Sequence, residues 1–176
     1  MNYGEQLCLA CGLCCDGTLF DNVQLGPGEN AKKMKALGLP VTISRARKPV
    51  AQFRQPCTAL CADRTCRLYS DRPTQCRTFE CGVFKEAEAG RITYAAALRM
   101  VKRVQRKAEK IRRLLRELGD TEEYHPLGDR FHRMQLRLGC GVSDEATALT
   151  FSKLGLAMHQ FNLLVCEKFY VKADPK

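Results

Sequence analysis

The 176-residue chain has a formal net charge of +10, and 45% of its residues are hydrophobic and 27% charged. This balance is ordinary for a globular protein and is enough to build a hydrophobic core, which argues against a disordered chain. No apolar run approaches the roughly 18 residues of a membrane span, and the N-terminus lacks the basic and apolar regions of a secretory signal. We therefore expect a cytoplasmic protein with no membrane segment.

The first half of the chain predicts short elements around cysteine-rich segments. A tight loop rich in cysteines is expected over residues 7–21, where Gly12 and Gly17 allow the turns that bring thiols together. Residues 57–81 are expected to be irregular and held in place by metal ligation. Residues 82–91 are expected to link the two halves of the chain. Between these segments, strands are predicted at 23–25, 41–43 and 50–53, with a helix at 29–37 that Gly38 ends.

The second half predicts three helices. Apolar residues recur at three- and four-residue spacing from Tyr94 to Leu118, and Gly119 then stops the helix. A second helix is predicted from Pro126 to Leu138, and a third from an N-cap at Ser143 towards Phe169. The inward-facing residues expected on the third helix are Leu149, Leu154, Phe161, Leu164 and Val165.

These elements predict an α+β fold of two parts. Residues 1–90 would form a small, irregular, cysteine-rich metal-binding domain. Residues 91–176 would form a basic helical extension, a bundle of about three helices packed on that domain. The 3.6-residue periodicity in the second part and its absence from the first are the basis of this division.

Eight of the eleven cysteines fall into two runs with the spacing of metal ligands. Each run supplies four thiols, the number that a tetrahedral thiolate site or an iron–sulfur cluster requires. In a reducing compartment, such density favours metal binding over disulfides. Cys14 and Cys15 are adjacent and point in different directions, so they could serve different centres and tie the runs together. The predicted ligands are Cys8, Cys11, Cys14, Cys15, Cys57, Cys66, Cys76 and Cys81.

Three blocks of sequence resemble a known family. They are Cys8-x2-Cys11-Gly12-Leu13-Cys14-Cys15, then Cys57-x2-Leu60, and then Cys66-x-Leu68-Tyr69-x2-Arg72-Pro73-x2-Cys76-Arg77-x-Phe79-x-Cys81. In order and spacing they resemble the YkgJ-like cysteine-cluster proteins, whose CxxCxxCC domain is described as zinc- or iron-chelating and whose family is described as containing iron–sulfur clusters. The resemblance covers residues 8–81 and implies the same eight ligands. Some related proteins resemble lysine N-methylases of flagellin.

The remaining candidate residues are interpreted as structural. Cys61 is extra to the family pattern and is a spare thiol, a replacement ligand or a redox-active cysteine. Arg72 and Arg77 are expected to bond carbonyls or partly neutralise thiolates, and Pro73 to stiffen their turn; the alternative is that one of these arginines faces an anionic substrate. Cys140 and Cys166 are expected to be buried in the helices. The three histidines, His125, His132 and His159, lack ligand spacing.

The predicted helix over residues 91–118 is strongly basic, with ten Lys and Arg against two Glu. Such a face is either solvated or binds a polyanion or a protein partner, since clustered positive charge releases counterions from phosphates. The chain has no Trp and 7% aromatic residues, so platforms for stacking bases are not evident.

The sequence leaves three functions open. The first is an iron–sulfur protein, with a cluster or iron used in electron transfer, cluster handling or cluster-assisted chemistry. The second is a zinc-stabilised module whose basic helix binds nucleic acid or a protein. The third is a metal-dependent protein-modifying enzyme similar to the lysine N-methylases, which would need an open coordination position. Thiolate ligation suits both iron and zinc.

Overall fold

The computed structural model describes residues 3–45, 47–139, 141 and 144–170. These residues contain seven α-helices, one 3₁₀ turn at Tyr69–Asp71 and three β-strands, which confirms the predicted α+β class. The helices are α1 Tyr3–Cys11, α2 Ala31–Ala36, α3 Thr74–Thr78, α4 Gly82–Glu88, α5 Tyr94–Glu117, α6 Leu127–Leu138 and α7 Glu145–Lys168; the strands are β1 Asn22–Gln24, β2 Thr42–Ile43 and β3 Ala51–Arg54.

The three strands form a small antiparallel sheet in the order β1-β3-β2. Val23 pairs with Phe53 across β1 and β3, and both side chains are buried. Helix α2 begins at Asn30, whose side chain accepts hydrogen bonds from two backbone N–H groups of the first turn. The sheet and α2 enclose a small hydrophobic core with Met34, Leu39 and Ala59. The strands and helix predicted in this region are confirmed within a residue or two.

The long helices follow their apolar stripes. Helix α5 is capped by the Thr93 hydroxyl and ends before Gly119, whose φ of 81° belongs to the left-handed region. Its stripe from Ala97 to Leu115 is buried, and α5 packs against α1, α4, α6 and α7. None of the described helices has the length and apolar character needed to cross a membrane.

Two predictions about local structure were wrong. Residues 82–91 were expected to be a link between the two halves of the chain, but α4 occupies most of the segment and packs against α1 and α5. Its N-cap is Cys81, whose sulfur accepts a hydrogen bond from the N–H of Phe84 at 3.4 Å. Residues 7–21 were expected to form a loop throughout, but α1 continues to Cys11 and the turns begin only at Gly12.

The third long helix also differs in detail from its prediction. The observed N-cap of α7 is Asp144, which accepts from the N–H of Thr147, and the predicted cap Ser143 lies outside the described residues, as does Cys140. Leu149 is 55% exposed because it precedes buried Leu154 by five residues, about 140° around the helix. Cys166 is exposed, so its predicted burial was also wrong.

The larger hydrophobic core draws on both halves of the chain. It joins Leu7, Leu13 and Leu19, which surround the first cysteine run, to the buried stripes of α5, α6 and α7. Val83 of α4 belongs to the same core. The first cysteine run is therefore held against the helices, whereas the sheet and α2 have a separate core.

Candidate metal centre

A cavity of about 110 Å³ lies between the two hydrophobic cores. Its wall combines Leu13 and Val101 of the larger core with Val23 and Phe53 of the smaller one. All eight predicted ligands line this cavity, and Cys61 does not: Cys8, Cys11, Cys14, Cys15, Cys57, Cys66, Cys76 and Cys81. The fold thus brings two cysteine runs, separated by some forty residues of chain, around one space.

The end of α1 and the turn after it present the first run. Cys8 and Cys11 lie on the last turn of the helix, three residues apart and so on one face. Gly12 has a φ of 62°, and its carbonyl accepts from the N–H groups of Cys15 and Asp16. This turn directs the chain back so that Cys14 and Cys15 also reach the cavity. The second run approaches through a backbone bond of 2.7 Å from the Cys57 N–H to the Cys15 carbonyl.

The thiols divide into two groups by their neighbours. Burial is the main cause that raises the pKa of the Cys14 thiol. The neighbouring thiolates that raise this pKa further are Cys11, Cys15, Cys81 and Cys8. Burial also raises the pKa of the Cys15 thiol, and the neighbouring negative charges that raise it further are on Cys57, Cys76, Cys66 and Asp16. Cys14 and Cys15 therefore point towards different sets of thiols. One group comprises Cys8, Cys11, Cys14 and Cys81, and the other comprises Cys15, Cys57, Cys66 and Cys76.

Packing gives the same division for six of the eight thiols. Cys11, Cys14 and Cys81 pack against the larger hydrophobic core. Cys57, Cys66 and Cys76 pack against the smaller one. Three thiols of each group therefore pack against a different core, and the Cys14–Cys15 peptide links the two groups.

Backbone N–H groups surround several of the sulfurs. The N–H of Ala59 donates to Cys57 and that of Phe84 to Cys81, each at 3.4 Å, and the N–H of Leu13 also bonds Cys11. Such donors favour a thiolate over a thiol, as ligand sulfurs require. These donors reach one cysteine of the first run and two of the second.

Burial opposes this effect. It raises the pKa of Cys11 and of Cys76 to about 12, and neighbouring thiolates add to the shift. Nearby guanidinium groups act in the opposite direction, Arg64 on Cys11 and Arg72 on Cys76. These thiols are therefore protonated near neutral pH in the metal-free protein, and as thiolates they would need more positive charge than the arginines supply. A bound cation is the group that meets this need.

Arg72 takes the structural role predicted for it. Its Nε donates to the carbonyl of Tyr69 at 2.9 Å, and the guanidinium lies 3.6 Å from the centre of the Tyr69 ring. Arg72 and Pro73 both line the cavity. Arg77 does not line it and contacts the Thr74 hydroxyl instead.

Four polar residues under the first run were missed by the sequence analysis. Arg64 and Gln105 both donate to the carbonyl of Cys11, each at 2.8 Å, and so fix the end of α1. Asp16 accepts from Arg64 at 2.7 Å and pairs with Arg112 at 3.3 Å. These partners lie 48 to 96 residues away in the chain, so no local spacing reveals them.

The donor set fits the metals that thiolates bind. Four thiols per group match an all-cysteine zinc site or an iron–sulfur cluster. Gln55, buried in the cavity wall, has a side-chain oxygen that meets no hydrogen-bond donor among the described residues. As they lie, no three His, Cys, Asp or Glu side chains of the described residues form a site for a metal ion. The eight thiols line the wall of this space.

Comparison with known proteins adds one match. A family model described as "CxxCxxCC: Putative zinc- or iron-chelating domain" matches residues 7–112, well over half of the chain. No curated protein and no solved structure matches the chain. The matched region continues past the last cysteine run into α5, where Val101 lines the cavity and Gln105 holds Cys11.

Proposed function

Because the chain belongs to the CxxCxxCC family of zinc- or iron-chelating domains, we propose that it is a metal-binding protein whose eight cysteines hold two iron–sulfur centres. The observation that carries this proposal is the division of the thiols into two groups of four, which share only the Cys14–Cys15 peptide. Both the neighbours of each sulfur and the packing against two cores support that division.

The arrangement is more compatible with clusters than with single ions. A single zinc ion needs four sulfurs at about 2.3 Å from one point. A cluster places several irons and sulfides between its thiolates, so its ligands line a space, as the eight thiols do here. The N–H donors to Cys11, Cys57 and Cys81 are also the kind of contact that sets cluster potentials.

Electron transfer or cluster handling is the use that this geometry favours. Consecutive Cα atoms lie about 3.8 Å apart, so centres bound by Cys14 and Cys15 would be close neighbours. Four thiols at each centre leave no open coordination position. This disfavours the metal-dependent modifying enzyme. Free thiols in this number also suit a reducing compartment such as the cytoplasm.

Anaerobic purification tests the identity of the metal. We expect a coloured protein that contains iron and acid-labile sulfide in similar amounts. Its visible absorption should bleach on reduction. A colourless protein with stoichiometric zinc and no sulfide, obtained under the same anaerobic conditions, would refute the iron–sulfur proposal but not metal binding itself.

The basic helix supports a second candidate function, the zinc-stabilised binding module. Five cations of α5 recur at four- and three-residue spacing and are all exposed: Arg99, Arg103, Arg106, Lys110 and Arg113. They form one continuous stripe on the face opposite the buried residues. Such a stripe would bind a polyanion, with an affinity that falls steeply as salt increases.

Retention on heparin at increasing salt tests the stripe. Changing Arg103, Arg106 and Lys110 to Gln should lower the salt concentration that elutes the protein. The matched control changes Arg45, Arg47 and Lys48, three exposed cations of the turn between β2 and β3. Equal shifts for both triple variants would show a net-charge effect and contradict a specific surface on α5.

A further inference from the structure

A second cavity, of about 250 Å³, lies on the other side of the turn that carries the first cysteine run. Four arginines line it, from the second cysteine run, α5 and α6: Arg64, Arg112, Arg116 and Arg130. The carboxylates on its wall are Asp16, Glu109 and Glu123. Arg64 lines this cavity and the cavity of the cysteines, so the two spaces share a wall.

Two of the arginines are fixed by buried partners. Asp16 bridges Arg64 and Arg112, and the Arg112 guanidinium also donates to the Thr18 hydroxyl at 2.8 Å. These contacts account for the stability of the inner wall. They leave two donors that can change partners: Nη2 of Arg130, and Nη1 of Arg116, whose Nη2 stays on Glu109 at 2.6 Å.

Arg130 has an unusual environment for a guanidinium. Its side chain is only 3% exposed, and its Nε donates to Asp120 at 2.7 Å. Its Nη2 is buried and has no hydrogen-bond partner within the described residues. A buried donor without an acceptor is destabilising, and more so when the group is charged. The structure therefore keeps a strong donor in the cavity wall unused.

Glu123 partly occupies the position that an acceptor would take. One of its carboxylate oxygens lies 2.9 Å from Nη1 of Arg116 but 3.9 Å from Nη2 of Arg130, too far for a hydrogen bond. The Glu123 side chain is 57% exposed, so it can leave for solvent at low cost. Asp120 and the three carboxylates of the wall together balance the charge of the four arginines. When Glu123 leaves, one positive charge has no compensating carboxylate.

We propose that this cavity binds a small oxyanion, the carboxylate or phosphate group of a small molecule, between Arg116 and Arg130. The oxyanion displaces Glu123, accepts from Nη2 of Arg130 and takes over Nη1 of Arg116. Guanidinium groups present paired donors that match both kinds of oxyanion. Arg64, which lines both cavities, would separate the bound anion from the cysteines. This position suits a substrate or an effector of the metal centre.

Calorimetric titration of the metal-loaded protein at constant ionic strength tests this site, with inorganic phosphate and acetate as separate probes. We expect saturable binding of at least one probe at one site per chain, and the probe that binds identifies the chemistry. Arg116→Gln should weaken binding roughly tenfold or more, because it removes a charged hydrogen-bond donor. Glu123→Gln should strengthen binding, because it removes the competing carboxylate.

Arg113→Gln is the matched control. Arg113 lies on the same helix, is 64% exposed, pairs with Glu117 and does not line the cavity. Arg116 is 44% exposed, so its variant should fold, and its thermal melt and metal content should match those of the parent protein. No saturable binding of either probe, or equal weakening by Arg113→Gln and Arg116→Gln, would overturn the proposal. Metal content is measured in the same samples, so failure here is distinguishable from failure of the metal proposal.

Discussion

The two adjacent cysteines carry the sharpest consequence at the scale of single residues. Cys14 lies with Cys8, Cys11 and Cys81, whereas Cys15 lies with Cys57, Cys66 and Cys76. A peptide bond of fixed geometry therefore joins two groups of ligands. Loss of either sulfur should affect one group and spare the other, although the two residues are neighbours in the chain.

Single serine variants test this division. Cys14→Ser and Cys15→Ser should each lower the metal content to about half, because one group of four thiols loses a ligand while the other keeps all four. The double variant Cys14→Ser/Cys81→Ser should lose no more metal than Cys14→Ser alone. Cys14→Ser/Cys66→Ser should lose nearly all of it. Elemental analysis per chain gives the readout.

Cys61→Ser is the control for these variants, since Cys61 does not line the cavity and its loss should leave the metal content unchanged. If Cys14→Ser and Cys15→Ser each removed all of the metal, the eight thiols would form one centre.

Gly12 is required for a second reason besides its backbone conformation. Its φ of 62° disfavours any other residue, and an added Cβ would lie 3.2 Å from Nε of Arg64, which holds the Cys11 carbonyl. Gly12→Ala should therefore lower the free energy of unfolding by about 1–3 kcal/mol, from backbone strain and crowding together. It should also weaken metal retention during dialysis against a chelator.

Gly28→Ala separates strain from crowding. Gly28 has a φ of 82°, but nothing lies within 4 Å of an added Cβ. This variant should be destabilised by strain alone and should retain metal as well as the parent does. Equal metal retention by Gly12→Ala and Gly28→Ala would contradict the role given to the Gly12–Arg64 contact. Chemical denaturation and chelator dialysis provide the two measurements.

At the scale of elements, α4 shows how the helices reach the second cysteine run. Cys81 caps α4, and the N–H of Gly82 donates to the carbonyl of Phe169 at the end of α7 at 3.0 Å. The last cysteine of the second run is thereby tied to the last long helix. A Cβ on Gly82 would lie 2.6 Å from the carbonyl oxygen of Lys168, so the close approach requires glycine.

Two alanine variants compare this contact with an unconstrained glycine. Gly82→Ala should destabilise the fold, because two backbone segments must move apart to admit the methyl group. Gly155→Ala, within α7, meets nothing within 4 Å and should stabilise the protein by up to about 1 kcal/mol through helix propensity. Thermal denaturation of both measures the difference. A neutral Gly82→Ala variant would show that the ends of α4 and α7 are not tightly coupled.

The helices and the ligands were predictable to different degrees. The bounds of α5 followed from its stripe and from Gly119, because both signals are local. Helix α4 was missed because its cap is a cysteine sulfur, which propensity rules do not count among capping side chains. Leu149 was misplaced because a leucine five residues before the buried Leu154 lies on another face.

The candidate site also combines features that local sequence signals predict with features that depend on the folded chain. The order and spacing of the cysteines predicted eight metal ligands; all eight line the cavity, and their ligation stays a prediction. Their division into two groups depends on which core each one packs against, and that is a property of the folded chain. Arg64 and Gln105 were beyond prediction because they reach Cys11 from 53 and 94 residues away.

At the scale of the whole molecule, the thiols make stability depend on metal and pH together. Burial raises the pKa of Cys11 and Cys76 from 9.0 to about 12 in the folded protein. The folded, metal-free chain therefore holds these protons more tightly than the unfolded chain does. This contribution to stability is fully present below pH 9.0 and is lost as the pH rises from there towards 12.

Metal binding reverses this dependence. Each thiol that becomes a ligand releases its proton, so metal affinity should rise with pH by up to about tenfold per unit for each proton released. Denaturation of the metal-free protein should show stability that falls above pH 9, whereas the metal-loaded protein should lose metal and stability as the pH falls. Titration with Zn²⁺ in two buffers of different ionisation enthalpy counts the protons. A release of fewer than one proton per bound ion would contradict thiol ligation by residues with raised pKa values.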